Sequence, residues 1–191
     1  MISRRTWFTW LGASVLFATS AGCGHPWIVV KAAAPSPLVG VKTFAVEAVH
    51  FEGMTVGAKS EAEYVAGKTP EQAASWQADK ATMNDAYFSR ISEKADGFTV
   101  APAPAPDAGT FIVRAFITHW EPGYYVGVSG QNSDADMTVQ LVGPAGVVDE
   151  ISLHVEVSAG LFNPSTGGRI RSAAEHFGAI TSKYIASRVS P

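Results

Sequence analysis

Chemistry in this chain has few carriers. The five histidines, His25, His50, His119, His154 and His176, are scattered, with no His-Glu-x-x-His spacing for a helical zinc site, and Cys23 is the only thiol. His119 with Glu121 and His154 with Glu156 each place an imidazole and a carboxylate two residues apart. On strands, that spacing puts both groups on one face, so a two-strand metal site can be drawn. Polar alternation on an exposed face explains the same residues more simply. No Gly-x-Ser-x-Gly elbow occurs, and Gly127-Val128-Ser129-Gly130 lacks its spacing. Gly167 and Gly168 ahead of Arg169 and Arg171 form a weak anion-site candidate, with a turn beside solvated arginines as the plainer explanation. The chain is therefore not expected to be an enzyme, and no metal or cofactor is expected. A different chemistry, that of contact, is carried by Trp120-Glu121-Pro122-Gly123-Tyr124-Tyr125, where Trp120, Tyr124 and Tyr125 are candidates for a partner surface. The competing explanation is that the strand continues past a bend at Pro122 and packs these rings on a helix.

Composition narrows the partners. The chain has 191 residues, 16% of them charged, a net charge of −3 and a pI near 5.9. That balance has no basic field to collect phosphates, so nucleic acid is not an expected partner. A single cysteine cannot form an intrachain disulfide framework or a multi-thiolate zinc site.

The position of that cysteine is informative. Arg4 and Arg5 precede an uncharged, mostly apolar run from Trp7 to Ala18, and Ser20, Ala21 and Gly22 lead into Cys23. This is the layout of an export signal over residues 1–22, with an apolar run shorter than the roughly 20 residues a membrane-spanning helix needs. The small residues before Cys23 resemble the lipobox of bacterial lipoproteins, although Ser20 stands where Leu is usual. The resemblance implies cleavage before Cys23 and acylation of its thiol and new amino group. Two or three acyl chains anchor firmly, at about 0.8 kcal/mol per buried methylene. Gly24, rather than Asp, follows the cysteine, which by the same resemblance implies the outer membrane, facing the periplasm, rather than the inner membrane. Ser3-Arg4-Arg5-Thr6-Trp7-Phe8 also resembles a twin-arginine export motif, so both this route and the general secretory route fit. Removing Arg4 and Arg5 from the 14 basic residues leaves 12 against 17 acidic ones. Residues 23–37, with Pro26, Pro35, Pro37 and three consecutive alanines, read as a lipidated Cys and an extended tether.

A single domain is expected over residues 38–191. Val39 to Val49 reads as a first strand. Thr69-Pro70-Glu71-Gln72 is a capping box with Pro at the first helical position, opening a helix to about Asp96 whose Trp76, Met83, Tyr87 and Ile91 share one face. A short strand at Phe98 to Val100 ends in the Pro-Ala run. Thr110 to Trp120 reads as a central strand, with Ile112, Phe116 and Trp120 on the face opposite Val113, Ala115 and Ile117. Met137, Val139 and Leu141, then Ile151, Leu153, Val155 and Val157, alternate as two half-buried strands joined at Gly143-Pro144-Ala145-Gly146. Ser172-Ala173-Ala174-Glu175 is a second capping box, so the last helix is expected to start at Ala173, with Arg188 facing water.

The order strand, helix, short strand, three strands, helix gives an α+β, two-layer sandwich: a mainly antiparallel sheet of about five strands with two helices on one face. Crossing through the long helix, the first two strands are expected to be parallel. This layout, over about Leu38 to Val189, together with the lipidated start, resembles small bacterial outer-membrane lipoproteins of unknown function with a fold like the amino-terminal domain of TolB. The resemblance implies a non-catalytic structural or interaction module of the cell envelope, held by its acyl chains and meeting envelope proteins. An alternative is a ligand-binding or assembly lipoprotein handling an outer-membrane component, which requires an apolar pocket between helix and sheet. An envelope hydrolase or metal enzyme is a third and weaker reading.

Overall fold

A computed structural model describes residues 25–104, 107, 109–127 and 129–191; the expected signal and Cys23 lie outside the described residues. Along the chain the elements are β1 (Ile28–Ala32), β2 (Thr43–Val46), β3 (Thr55–Val56), β4 (Lys59–Ser60), α1 (Glu61–Ala66), α2 (Pro70–Lys94), β5 (Thr99–Pro102), β6 (Phe111–Glu121), β7 (Tyr124–Tyr125), β8 (Gly130–Gln131), β9 (Ser133–Gly143), β10 (Gly146–Val157) and α3 (Thr166–Val189). Eight strands form one sheet in the order β1-β10-β9-β6-β2-β5, with β3 pairing the far end of β6 and carrying β4. The small β7–β8 hairpin stands apart from it. The coarse expectation holds: the sheet is large and mostly antiparallel, and helices cover it. It has more strands than five, and a third, short helix.

Local signals explain the middle of the chain. Thr69 caps α2 by accepting from Gln72 N at 3.3 Å, while Gln72 Oε1 accepts from Thr69 N at 3.1 Å. Trp76, Met83, Tyr87 and Ile91 are the buried residues of α2. β2 and β5, joined through α2, are parallel, and β9 and β10 form the antiparallel hairpin. Inward residues Ala135, Met137, Val139 and Leu141 of β9 meet Ile151, Leu153 and Val155 of β10 under the helices. α2 and α3 approach closely at Gly178, where a Cβ would stand 2.8 Å from Tyr87 O and 2.9 Å from Arg90 Cβ. No side chain larger than hydrogen fits there without moving a helix. Beside that contact, the Tyr87 and Thr181 hydroxyls are 3.2 Å apart and buried.

Four expectations are corrected. Part of the expected tether is β1, which pairs antiparallel with β10, Ile28 opposite Ser152 and Ala32 opposite Asp149. Three β-branched residues in succession outweigh the flanking prolines, which here bracket an edge strand. α3 begins at Thr166, not Ala173, because Ser165 accepts from Gly168 N at 3.0 Å, and Arg169 in the following turn is taken up by carbonyls. Arg188 does not face water: its Nε donates to Asp149 Oδ2 at 2.6 Å and its Nη2 to Ala33 O at 2.8 Å. Trp120 turns inward, because the register of β6 against β9 shifts between Ile117 and His119. Met54 to Lys68, whose lack of a period suits a loop or a short helical turn, holds helix α1, capped by a Ser60–Glu63 box. It is tied to α2 through Glu61 Oε1, which accepts from Trp76 Nε1 at 2.8 Å and pairs with Lys80 at 2.6 Å.

Trp76→Ala is expected to cost about 3 to 5 kcal/mol in urea unfolding, through the lost ring and the unhooked α1, and Thr69→Ala about 1 kcal/mol through the cap. A Trp76 cost below about 1 kcal/mol would contradict its packing. Alkaline pH gives an independent check. Burial pushes the hydroxyls of Tyr87 and Tyr184 well above the ordinary range, helped at Tyr184 by the Asp149 carboxylate. The unfolded chain ionises its tyrosines near pH 10 while the folded one keeps these two protonated, so stability is full below about pH 10 and falls as pH rises beyond it. Tyr87→Phe should remove part of that alkaline slope in denaturation midpoints recorded against pH.

Candidate interaction surface

One end of the sheet is organised around Arg169. Its side chain lies in the first turns of α3 and is 1% exposed. Among the described residues no carboxylate pairs with it. Nε donates to Ser133 Oγ at 2.7 Å, Nη1 to Asn163 O at 3.2 Å and Pro164 O at 2.8 Å, and Nη2 to Pro122 O at 3.0 Å and Thr166 Oγ1 at 3.4 Å. Burial lowers its pKa. The fork of donors joins the loop that leaves β6 to the loop that enters α3. Ala159 N also donates to Asn132 Oδ1 at 3.1 Å, and Gly130 sits close enough to Ala159 that an added Cβ would stand 3.3 Å from the alanine methyl. Gly123, at φ 58°, sits where a Cβ would run into the carbonyl oxygens of Gln131 and Asn132, so the turn into the β7–β8 hairpin needs glycine.

These joined loops present apolar side chains to water. Asn163 N donates to Gly160 O at 3.0 Å, closing a turn whose two corner residues are Leu161 and Phe162, 79% and 104% exposed. Turn corners ordinarily hold Gly, Pro, Asn, Asp or Ser, so a Leu-Phe pair there is exposed without any packing gain in the chain itself. Tyr124 and Val126 of the neighbouring hairpin are also exposed.

Of the three aromatic contact candidates, Tyr124 is exposed. Tyr125 is half-buried and its hydroxyl donates to Gly127 O. Trp120 is 2% exposed within the core. Leu161 and Phe162 were missed in the sequence, where the signal was an apolar pair framed by the turn formers Gly160, Asn163 and Pro164. The two arginines proposed for an anion do not converge. Arg169 is spent on the loops, and Arg171 pairs with Glu175 at 3.3 Å in a groove of about 490 Å³ between α2 and α3. The groove is also walled by the Arg90–Glu93 pair at 2.7 Å.

The sheet face away from the helices is a polar ladder. Arg114 pairs with Glu47 through contacts of 2.6 and 2.9 Å, and Gln140 Nε2 donates to Glu150 Oε2 at 2.7 Å. The Arg114 hydrogen bond chiefly holds the Glu47 carboxyl below its ordinary range. The histidine–glutamate pairs of β6 and β10 are separated by β9, whose Asp136 Oδ1 accepts from His154 Nδ1 at 2.8 Å. His119 instead contacts Thr55 Oγ1 at 2.8 Å. Among the described residues no cluster of three metal-ligating side chains forms. Between α2 and the sheet, a cavity lined by Phe51, Met54, Trp76, Met83, Trp120 and Ile170 has about 10 Å³, the space of one water and too little for a ligand. None of the described helices is long and apolar enough to cross a membrane.

Arg169→Met should leave the carbonyls of Asn163 and Pro164 without their guanidinium donor, and that of Pro122 with only the Ser133 hydroxyl, in a buried setting. A cost of about 3 kcal/mol or more in urea unfolding is expected, with faster amide exchange in both loops. A loss under about 1 kcal/mol with unchanged exchange would mean that the loops hold without the guanidinium.

No family model matches the chain, and no curated protein matches it in sequence. Among solved structures it is similar to the PelC dodecamer from Paraburkholderia phytofirmans, at 13% identity over 77% of this chain and 92% of that one, with a TM-score of 0.42. It is likewise similar to an uncharacterized protein at 12% identity, over 78% and 94% of the two chains, with a TM-score of 0.47. A protein from Xanthomonas campestris, of the family of unknown function DUF330, shares 13% identity over 83% of this chain and 91% of that one, with a TM-score of 0.41.

Proposed function

We propose that the chain is a membrane-anchored lipoprotein of the cell envelope, acting as a non-catalytic structural or interaction module. In this reading Cys23 is acylated, the outer membrane facing the periplasm is its address, and envelope proteins are its partners. The likeness to lipoproteins with a TolB-amino-terminal-like domain belongs to the same proposal. The observation that carries it is the joined pair of loops: a buried guanidinium holds them together, and they offer Leu161, Phe162, Tyr124 and Val126 to solvent. Rigid loops with exposed apolar tips are suited to binding another surface. A ligand-handling role gains no support from a core cavity of about 10 Å³.

Cys23→Ser should move the mature chain from the membrane pellet to the soluble periplasmic fraction, and the intact mass of the wild type should include acyl groups. A wild-type mass without them defeats the anchor. For the contact surface, Leu161→Ser with Phe162→Ser should leave the melting temperature within a few degrees of wild type while removing the proteins that co-purify from solubilised envelope. An unaltered set of co-purifying proteins would show that the loop tips bind nothing.

A further inference from the structure

We infer that the β1 edge of the sheet lies against the lipid surface to which Cys23 is anchored, so that the domain sits edge-on at the membrane. The inference rests on the anchored-lipoprotein reading. The expected tether is largely absorbed into the fold: Ile28–Ala32 pairs with β10, the Trp27 ring packs on Tyr184 with centroids 5.6 Å apart, and His25 stacks on Trp27 at 4.7 Å. Only Gly24 separates Cys23 from a residue packed on the domain. Five residue steps from Cys23 to Ile28 span at most about 17 Å of extended chain. A domain held so closely cannot stand off from the headgroups.

The side chains at that place suit the contact. Ile28 is 71% exposed, and Val29 and Val30 are about half exposed. Ile28 lies opposite Ser152 on the uncovered face and Val29 opposite the buried Ile151 on the helix-covered face, so apolar groups flank the edge on both sides. A contact through one sheet face would use only one of them. An edge-on contact uses both. Pairing with another strand is opposed by Pro26 and Pro35 on either side, by Lys31, and by the register shift between Val29 and Lys31, which are the devices that blunt an edge. The charge problem at the edge is also settled internally. Asp149, beside Ala32, is fully buried and is satisfied by Arg188, Tyr184 Oη and Ala33 N. The outward backbone groups of β1 still need hydrogen-bond partners, which places the strand among hydrated headgroups rather than in the hydrocarbon.

The test uses the acylated full chain in phosphatidylcholine vesicles. Acylation consumes the Cys23 thiol, so a fluorophore attached after Ile28→Cys, Val29→Cys or Thr99→Cys reports one position each. Thr99 is on β5 at the opposite edge, five strand spacings or about 24 Å away. Headgroup-nitroxide lipid should quench positions 28 and 29 several-fold and leave position 99 unchanged. Quenching of neither, or of all three alike, overturns the inference, as does quenching of 28 and 29 by nitroxide on a second copy without spin-labelled lipid. The wild-type mass keeps the two readings apart. Acyl groups present without quenching leave the anchor standing and remove the orientation, whereas a mass without acyl groups removes both.

Discussion

A guanidinium buried without a carboxylate is the constraint around which one end of the molecule is arranged. Desolvating Arg169 is costly, and only convergent acceptors offset it. Those acceptors come from Pro122, Ser133, Asn163, Pro164 and Thr166, so the exit of β6, the start of β9 and the entry to α3 are fixed relative to one another. At the other end of α3, the same logic runs with the charges reversed: buried Asp149 draws in Arg188, Tyr184 and the backbone at Ala33, which fastens β1 to β10 and α3. One helix thus carries a satisfied ion near each end, and Gly178 between them lets it approach α2.

What was legible in the sequence is what local chemistry decides. The capping box at Thr69, the sevens-and-fours spacing of Trp76 to Ile91 and the alternation in β9 and β10 each specify an element from neighbouring residues. The parallel pairing of β2 and β5 followed from the crossover through α2. Where the outcome depends on distant partners, the sequence was mute or misleading. Ile28-Val29-Val30 had strand propensity, but the strand exists because β10 offers it an edge. Ser165 and Ser172 are both of a residue type that caps, and the choice was made by carbonyls from two loops around Arg169.

Trp120 shows how a small irregularity redirects a functional assignment. Strict alternation after Val113, Ala115 and Ile117 sends it outward, where an indole is a natural contact residue. A register shift of one residue places it opposite Ala135 in the core instead. Exposed apolar side chains stand instead at Leu161 and Phe162, in a segment with no period at all. Apolar residues at turn corners carry no signature of their own, and their exposure is visible only once the turn is closed.

β1 also bears on timing. Its partners, Asp149 to Ser152, lie over a hundred residues further along the chain. During synthesis from the amino end, the strand therefore has nothing to pair with until β10 has emerged, and such non-local closure is slow. A five-residue edge strand held by a neighbour on one side only is thus positioned to join the sheet late.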